Sequence, residues 1–367
     1  MHRLLVSFVA ALFAGLLSLP AAAAYPPGVY AVPGQYIWDS WIVEDDGVLH
    51  RYALSAPKSG YTPNERHEHA FVRHAISTDG GLTWDDRGPA VTPQPTGTWP
   101  DHVVWTSSVK LRKNTKGEKE FLMFITGRSE ADGMTQRIGL TRSKDGQHFS
   151  VPEVILNPSE TLGYAITDAD GIIMAWRDPY LIQDSTDGRW HMFFSAKSKD
   201  SCGVIRPTVG HAVADDDSLS QWTLQPPMVL PQYYRQVEVP YMLQRDGEYY
   251  LFVSTQANPL METNAGKEAA YRGYVGDSIT GPWTLIYEDT DRIYGHKIYA
   301  PTLFEKPRGS GDYAAVSFFS EDTGCPITGT PIVDVRWDDQ GPAFEFAEDL
   351  GSCLAQPPIR GVAEAGL

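Results

Sequence analysis

The chain has 367 residues, with 46 acidic against 30 basic side chains and a formal net charge of -16. Such a charge repels phosphate backbones and excludes general nucleic-acid binding. A hydrophobic share of 42% excludes a chain disordered throughout, and 33 Gly, 27 Pro and 11% aromatic residues favour strands and turns over helices.

From the N-terminus, His2 and Arg3 precede an uncharged apolar run, Leu4 to Leu19, followed by Pro20 and Ala21–Ala24. A basic start, an apolar centre and an A-x-A end (Ala22, Ala24) predict an export signal over residues 1–24, cleaved after Ala24. The run is short for a bilayer span, and no later uncharged stretch is long enough for one. The mature part, 25–367, is then expected to be secreted, outside the cell or in the periplasm. Three cysteines fit an exported protein that does not depend on a disulfide framework. Cys325 and Cys353 are read as a pair, with Cys202 free.

The rest of the chain repeats itself. Five apolar-aromatic segments, VLHRYALSA (48–56), KEFLMFITG (119–127), RWHMFFSAK (189–197), EYYLFVST (248–255) and DYAAVSFFS (312–320), each follow a Gly-containing turn. Four end in related turns closed by an aromatic: STDGGLTW, SKDGQHF, DDDSLSQW and GDSITGPW. From Asp39, Trp105, Asp178 and Glu238 to that aromatic the offsets are 84−39=45, 149−105=44, 222−178=44 and 283−238=45. A fifth unit is expected to start around His296. Five units of three or four strands predict an all-β chain folded as one five-bladed β-propeller around a funnel-shaped site. A β-sandwich of hairpins is the alternative, but it gives no reason for a constant offset.

The first strand of each blade lines the central channel, so its residues meet across the sequence. They display Trp38-Asp39-Ser40-Trp41, Trp105-Thr106-Ser107-Ser108, Arg177-Asp178-Pro179, Glu238-Val239-Pro240 and Tyr294-Gly295-His296. Gathering Asp39, Asp178 and Glu238 costs stability, which points to chemistry rather than architecture. Aromatic walls with a few acids suit a sugar, and two of the acids supply the nucleophile and acid/base of glycosidic cleavage. Retention needs Asp39 ionised, helped by Arg177 or Ser40, and Glu238 protonated near neutral pH.

These residues carry a resemblance. WDSW (38–41), ERHEHA (65–70), WTSS (105–108), RDPY (177–180), QVEVPYML (236–243) and YGH (294–296) resemble, in order, the levansucrase and inulosucrase family, glycoside hydrolase family 68. The resemblance extends from about residue 36 to about 305, and WD-x-W separates that family from the related invertases and arabinanases. It implies fructosyl transfer from sucrose with retention. By position, Asp39 is similar to the nucleophile, Glu238 to the acid/base and Asp178 to the transition-state stabiliser. Trp38, Trp105, Thr106, Arg177, Gln236, Tyr294 and His296 resemble substrate-binding positions.

Three departures concern the leaving group. Val239 stands where the family has Arg, no Arg follows Ser254-Thr255-Gln256-Ala257-Asn258, and Trp-Ser-Gly-Ser has become Trp105-Thr106-Ser107-Ser108. A fructosyl subsite is expected intact and the donor need not be sucrose. The other readings are an arabinanase-like or xylosidase-like propeller hydrolase and a non-catalytic carbohydrate-binding propeller. No cofactor or metal is expected. His67-Glu68-His69 lacks zinc spacing, and Asp168–Asp170 and Asp215–Asp217 are only fragments of calcium loops. The expected partners are a sugar donor and a water or sugar acceptor, with no nucleic acid or membrane, and the protein is expected to be a monomer.

Overall fold

Four-stranded antiparallel meanders follow one another along the chain, as the repeat predicts. The computed structural model describes residues 25–114, 116–167, 175–231, 234–256, 270–286, 298–319, 327–338 and 341–344. Blade 1 contains β1 (Gln35–Asp45), β2 (Val48–Pro57), β3 (Phe71–Ser77) and β4 (Asp85–Val91). Blade 2 contains β5 (Val103–Lys113), β6 (Lys119–Arg128), β7 (Arg137–Ser143) and β8 (Glu153–Leu156). Blade 3 follows with β9 (Trp176–Gln183), β10 (Trp190–Lys199), β11 (Ile205–Ala214) and β12 (Trp222–Gln225). Blade 4 has β13 (Gln236–Arg245), β14 (Glu248–Gln256), β15 (Ala270–Gly276) and β16 (Thr284–Leu285). Blade 5 has β17 (Ile298–Glu305), β18 (Tyr313–Phe319) and β19 (Val333–Asp334), followed by the hairpin β20 (Arg336–Asp338) and β21 (Gly341–Ala343). The protein is a five-bladed β-propeller.

The core lies between blades. Phe121 to Ile125 on β6 are all fully buried, without the alternation of a sheet wet on one side, because each blade is covered on both faces. Leu122 and Phe124 of blade 2 pack with Trp176, Met192 and Phe194 of blade 3. Tyr241 and Phe252 of blade 4 meet Leu303 and Ala315 of blade 5. Ile42 and Leu49 of blade 1 meet Phe304 and Val316 of blade 5, which closes the ring.

Closure also uses a buried cation. Arg51 on β2 is fully buried and donates to Ser40 Oγ (3.0 and 3.2 Å), Thr330 O (2.9 Å) and Ser317 O (3.2 Å), tying blade 1 to blade 5. Its guanidinium lies 5.4 Å from the Tyr30 ring and 5.3 Å from that of Trp84. A Cβ at Gly329 would sit 2.1 Å from Arg51 Nη2, so only glycine leaves room. Tyr30 and Gly329 exchange backbone hydrogen bonds of 3.1 and 2.9 Å, which adds the N-terminal segment to the seam. Arg51→Met keeps the stem and strands three buried acceptors, each worth about 1–3 kcal/mol when left unpaired. A loss of roughly 3–5 kcal/mol is expected in urea unfolding. A wild-type midpoint would remove Arg51 from the closure.

The fifth blade starts later than the sequence reading placed it, with β17 opening at Ile298. Tyr294 and His296 lie outside the described residues, as do the leader 1–24, Cys325, Cys353 and Asp168–Asp170. Cys202 is exposed and free.

Candidate active site

All five inner strands break register at equivalent points, between Trp38 and Ser40, Trp105 and Ser107, opposite Phe193 and Ser195 on β9, between Glu238 and Tyr241, and between Tyr299 and Thr302. The bulged residues are Asp39, Thr106, Asp178, Val239 and Ala300. Four of them hold positive φ, at 40° for Asp39, 60° for Asp178, 49° for Val239 and 51° for Ala300. Left-handed backbone is costly for a β-branched residue such as Val239, and bulges serve to re-aim side chains. Proline follows in three blades (Pro179, Pro240, Pro301), where no ladder N–H is required.

The bulges sort the channel into two rings of positions. Asp39, Thr106, Asp178, Val239 and Ala300 form one; the residues before them, Trp38, Trp105, Arg177, Glu238 and Tyr299, form the other. The sequence reading had merged the two, setting Trp105 and Glu238 level with Asp39 and Asp178. The bulge spacing is 106−39=67, 178−106=72, 239−178=61 and 300−239=61. The triplets Arg177-Asp178-Pro179, Glu238-Val239-Pro240 and Tyr299-Ala300-Pro301 were the signal that would have located the fifth blade.

Each bulge frees an N–H that a hydroxyl from the preceding blade accepts. Asp178 N donates to Thr126 Oγ1 (2.9 Å), Val239 N to Ser195 Oγ (3.2 Å), and Ala300 N to Ser254 Oγ (3.0 Å). Thr126, Ser195 and Ser254 occupy the second strands β6, β10 and β14 and are buried. These hydroxyls were not singled out in the sequence, yet they satisfy backbone groups that would otherwise be orphaned.

The acids have unlike surroundings. Asp39, 9% exposed, accepts from Thr106 Oγ1 on its Oδ2. Asp178, 4% exposed, accepts on Oδ2 from Ser195 Oγ (2.6 Å) and Val239 N (3.1 Å). Glu238 accepts from Arg177 Nη2 (2.6 Å) on Oε1, and from Gln256 Nε2 (3.1 Å) and the Tyr299 hydroxyl on Oε2. Arg177 Nε also lies 3.7 Å from Asp178 Oδ2, so one guanidinium ties two of the acids.

Protonation follows from this. Burial, reinforced by the negative Asp178 and Glu238, raises Asp39 to about 7 despite its Thr106 bond. Burial raises Asp178 as well, against the pull of Arg177. At Glu238 burial alone would raise the carboxyl, but Arg177, Tyr299 and Gln256 together hold it below its ordinary 4.5. The empty site therefore favours a proton on Asp39 over one on Glu238, the reverse of the sequence expectation. Arg177 is committed to Glu238, and Ser40 Oγ to Arg51, so neither assists Asp39.

A reactive state with Asp39 charged and Glu238 protonated is then a minor form sharing the same proton count. The kcat/KM profile should be a bell that falls above about pH 7 and, on the acid side, below 4.5. Tyr299→Phe removes a donor from the Glu238 carboxylate, so its acid limb should move to higher pH while the basic limb changes little. An acid limb that stays in place would show that Tyr299 does not tune Glu238.

Trp38 is 1% exposed beneath Arg66 (5.3 Å to its ring) and the edge of His67 (5.7 Å). Trp105 donates through Nε1 to His67 O (2.6 Å) and carries Arg128 at 5.0 Å from its ring. The turn Glu65–His69 thus packs over both tryptophans. Glu68 bonds Arg128 (2.8 Å) and His102 (2.9 Å), and His69 stacks on Tyr61, consistent with a structural rather than a zinc role. Gln236 pairs in register with Gln256, and Gln256, not Gln236, bonds Glu238. In the turn at Asp215–Asp217, Asp215 accepts from Thr223 and Asp216 from Ser218. The grouping of metal-ligating atoms among the described residues is Asp184, Asp187 and His191, where Asp184 already accepts from Tyr249 (2.6 Å) and Thr186 (2.9 Å).

Comparison with known proteins agrees with this geometry. The description "Glycosyl hydrolases family 32 N-terminal domain" matches residues 60–323, well over half of the chain. The chain belongs to this family. Its curated relatives are levansucrases: that of Erwinia amylovora is 28% identical over 142 residues, 32% of this chain and 34% of the relative. The match thus spans about a third of that relative's length. Among solved structures, the inulosucrase from Halalkalicoccus jeotgali bound to kestose superposes with a TM-score of 0.67 at 21% identity, covering 87% of this chain and 89% of that one. The levansucrase from Gluconacetobacter diazotrophicus gives 0.65 at 17% identity, covering 88% and 82%. These structures share the fold.

This family member places the departures noted in its sequence next to the acid/base. Val239 spends its backbone N–H on Asp178 and Ser195, and its side chain is buried with the core. Ser254 and Thr255 are buried within β14, while residues 257–258 lie outside the described set. A cation arrives from another strand: Lys197 on β10 is 7% exposed, donates to Arg235 O (2.9 Å), and is pushed down to about 8 by burial and by Arg177.

Proposed function

We propose that this protein is a secreted, retaining glycosidase and fructosyltransferase that cleaves a β-fructofuranosyl bond in sucrose or a related fructoside. The observation that carries the reading is the convergence of Asp39, Asp178 and Glu238 from three blades, with Arg177 tying the last two. Asp39 attacks the anomeric carbon of the fructosyl unit and forms an ester, while the bond to the leaving oxygen breaks and that oxygen takes the proton of Glu238. Water or an acceptor hydroxyl then attacks the same carbon, gives its proton to Glu238, and releases the Asp39 carboxylate. Asp178 accepts hydrogen bonds from fructosyl hydroxyls through the transition state. The levansucrase relatives and the inulosucrase fold support a fructosyl donor; Val239 and Lys197 around the acid/base leave the leaving group open. Residues 1–24 direct export, so the secreted chain should begin at Tyr25 by mass spectrometry.

Purified protein incubated with sucrose tests the reading, with glucose and fructose separated by chromatography. Glucose in excess of fructose marks transfer, and equal amounts mark hydrolysis. Turnover of another β-fructofuranoside without sucrose would change the donor and keep the class. Arabinofuranoside cleavage with every fructoside inert would replace it by the arabinanase-like reading.

A further inference from the structure

A second cavity, of about 360 Å³, occupies the central channel behind the floor made by Thr106, Asp178 and Val239. Residues that follow the bulge in all five inner strands build its wall, so it opens away from Glu238 and Arg177. Its size is within the range of small-molecule sites, roughly 300–1,000 Å³.

Three features of the wall have no use in the fold or in the chemistry above. Trp41 Nε1 and Ser108 Oγ face it, and both are buried polar atoms with no hydrogen-bond partner. Such atoms are rare and mark a place where something else completes the bonding. Lys110 donates to Tyr180 Oη (3.1 Å) and lies 4.3 Å from that ring, which leaves ammonium protons to spare. Burial pushes it down to about 8.

The chemistry of the wall selects a ligand class. Its ionisable groups are Lys110 and Arg308 against Glu44 and Glu305, which cancel and give no attraction to an ion of either sign. Glu44 accepts from Gly47 N (3.1 Å) and Arg308 N (2.5 Å), and Glu305 from Gly309 N (2.6 Å), so the acids are partly occupied with their loops. Arg308 Nη2 donates to Leu111 O (2.7 Å). What remains is aromatic surface from Trp41, Tyr180 and Tyr241, with spare donors and a hydroxyl between the rings. Rings that stack on C–H faces, with hydrogen-bonding groups at their edges, match a hydroxylated ring.

We propose that this cavity is a second sugar site, binding one neutral monosaccharide or cyclic polyol behind the catalytic floor. The ligand accepts from Trp41 Nε1 and Lys110 and shares a hydrogen bond with Ser108 Oγ. Because Asp178 and Thr106 contribute to both faces of the floor, occupancy touches the residues that support the acids. The inference stands independently of which glycoside the active site cleaves.

Calorimetric titration of the full chain with glucose, fructose and myo-inositol, none of which can be turned over by glycoside cleavage, tests it. A site of unchanged affinity in Asp39→Asn is expected, weakened at least tenfold by Trp41→Phe, which keeps the ring, and by Lys110→Met. Preference for glucose or fructose would identify a reaction product as the ligand, and preference for inositol an external polyol. Absence of binding up to about 100 mM would mean a hydrated channel only and would overturn the proposal. Binding unaffected by both channel variants would overturn it equally, with unfolding midpoints confirming that the variants are folded.

Discussion

Asp39→Asn should lower turnover of a fructoside by about 10⁴-fold or more and, at the same time, stabilise the folded chain at pH 8. The first effect follows because the amide cannot form the ester through which the reaction passes. The second follows from linkage. The buried carboxyl holds its proton up to about 7 against an ordinary 3.8, so the folded chain binds a proton in that window that the unfolded chain has lost. Stability owed to this group is complete below 3.8 and is lost as pH rises through 7. Above it, the folded state carries an ionised buried carboxylate at a cost of up to about 4 kcal/mol, taking 1.36 kcal/mol per pH unit. Asn carries no such charge, so its urea midpoint should exceed wild type at pH 8 and match it at pH 3. Retained turnover would remove Asp39 as nucleophile; equal midpoints at pH 8 would remove the buried-charge argument.

Glu238→Gln should separate two roles of one residue. Fructosides with an alcohol or sugar leaving group should lose roughly 10²–10⁴-fold, since nothing protonates the departing oxygen. Fructosyl fluoride needs no such proton. It should give a burst of one fluoride per chain, followed by a slow phase in which the Asp39 ester waits for water that no base activates. Azide, a nucleophile with no proton to lose, should restore turnover and yield the azide with retained configuration. If all donors slow equally and azide has no effect, Glu238 only positions Arg177. Either result is readable by fluoride electrode and product analysis.

The blade repeat was legible because each blade solves the same problem. It must bury both faces against neighbours and turn back on itself, so FLMFI (121–125) and the turns STDGG and SKDGQ recur wherever that problem does. In both turns Ser Oγ donates to the following Asp and accepts the N–H of a Gly, at Ser77–Asp79–Gly81 and Ser143–Asp145–Gly146. The acids were legible too, since three carboxylates at first-strand positions have no architectural purpose. Trp105 and Glu238 were placed one position out of step because a bulge adds one residue, and a spacing constant within one residue cannot reveal it.

Partners were harder to see than positions. Tyr299 lies 61 residues from Glu238, and the sequence alone pointed to Tyr294 and His296 for that blade. Arg177 was visible beside Asp178, but its strongest bond runs to Glu238 on the next blade.

By itself the sequence determined the architecture, the three acids and the chemical class they suit. Local pattern suffices there, because strand periodicity, turn residues and side-chain identity are properties of short segments. Which acid holds the proton, which donor serves which carboxylate and what lies behind the catalytic floor were decided by tertiary structure. Those depend on burial and on charges a few ångströms apart, contributed by strands that only closure of the ring brings together.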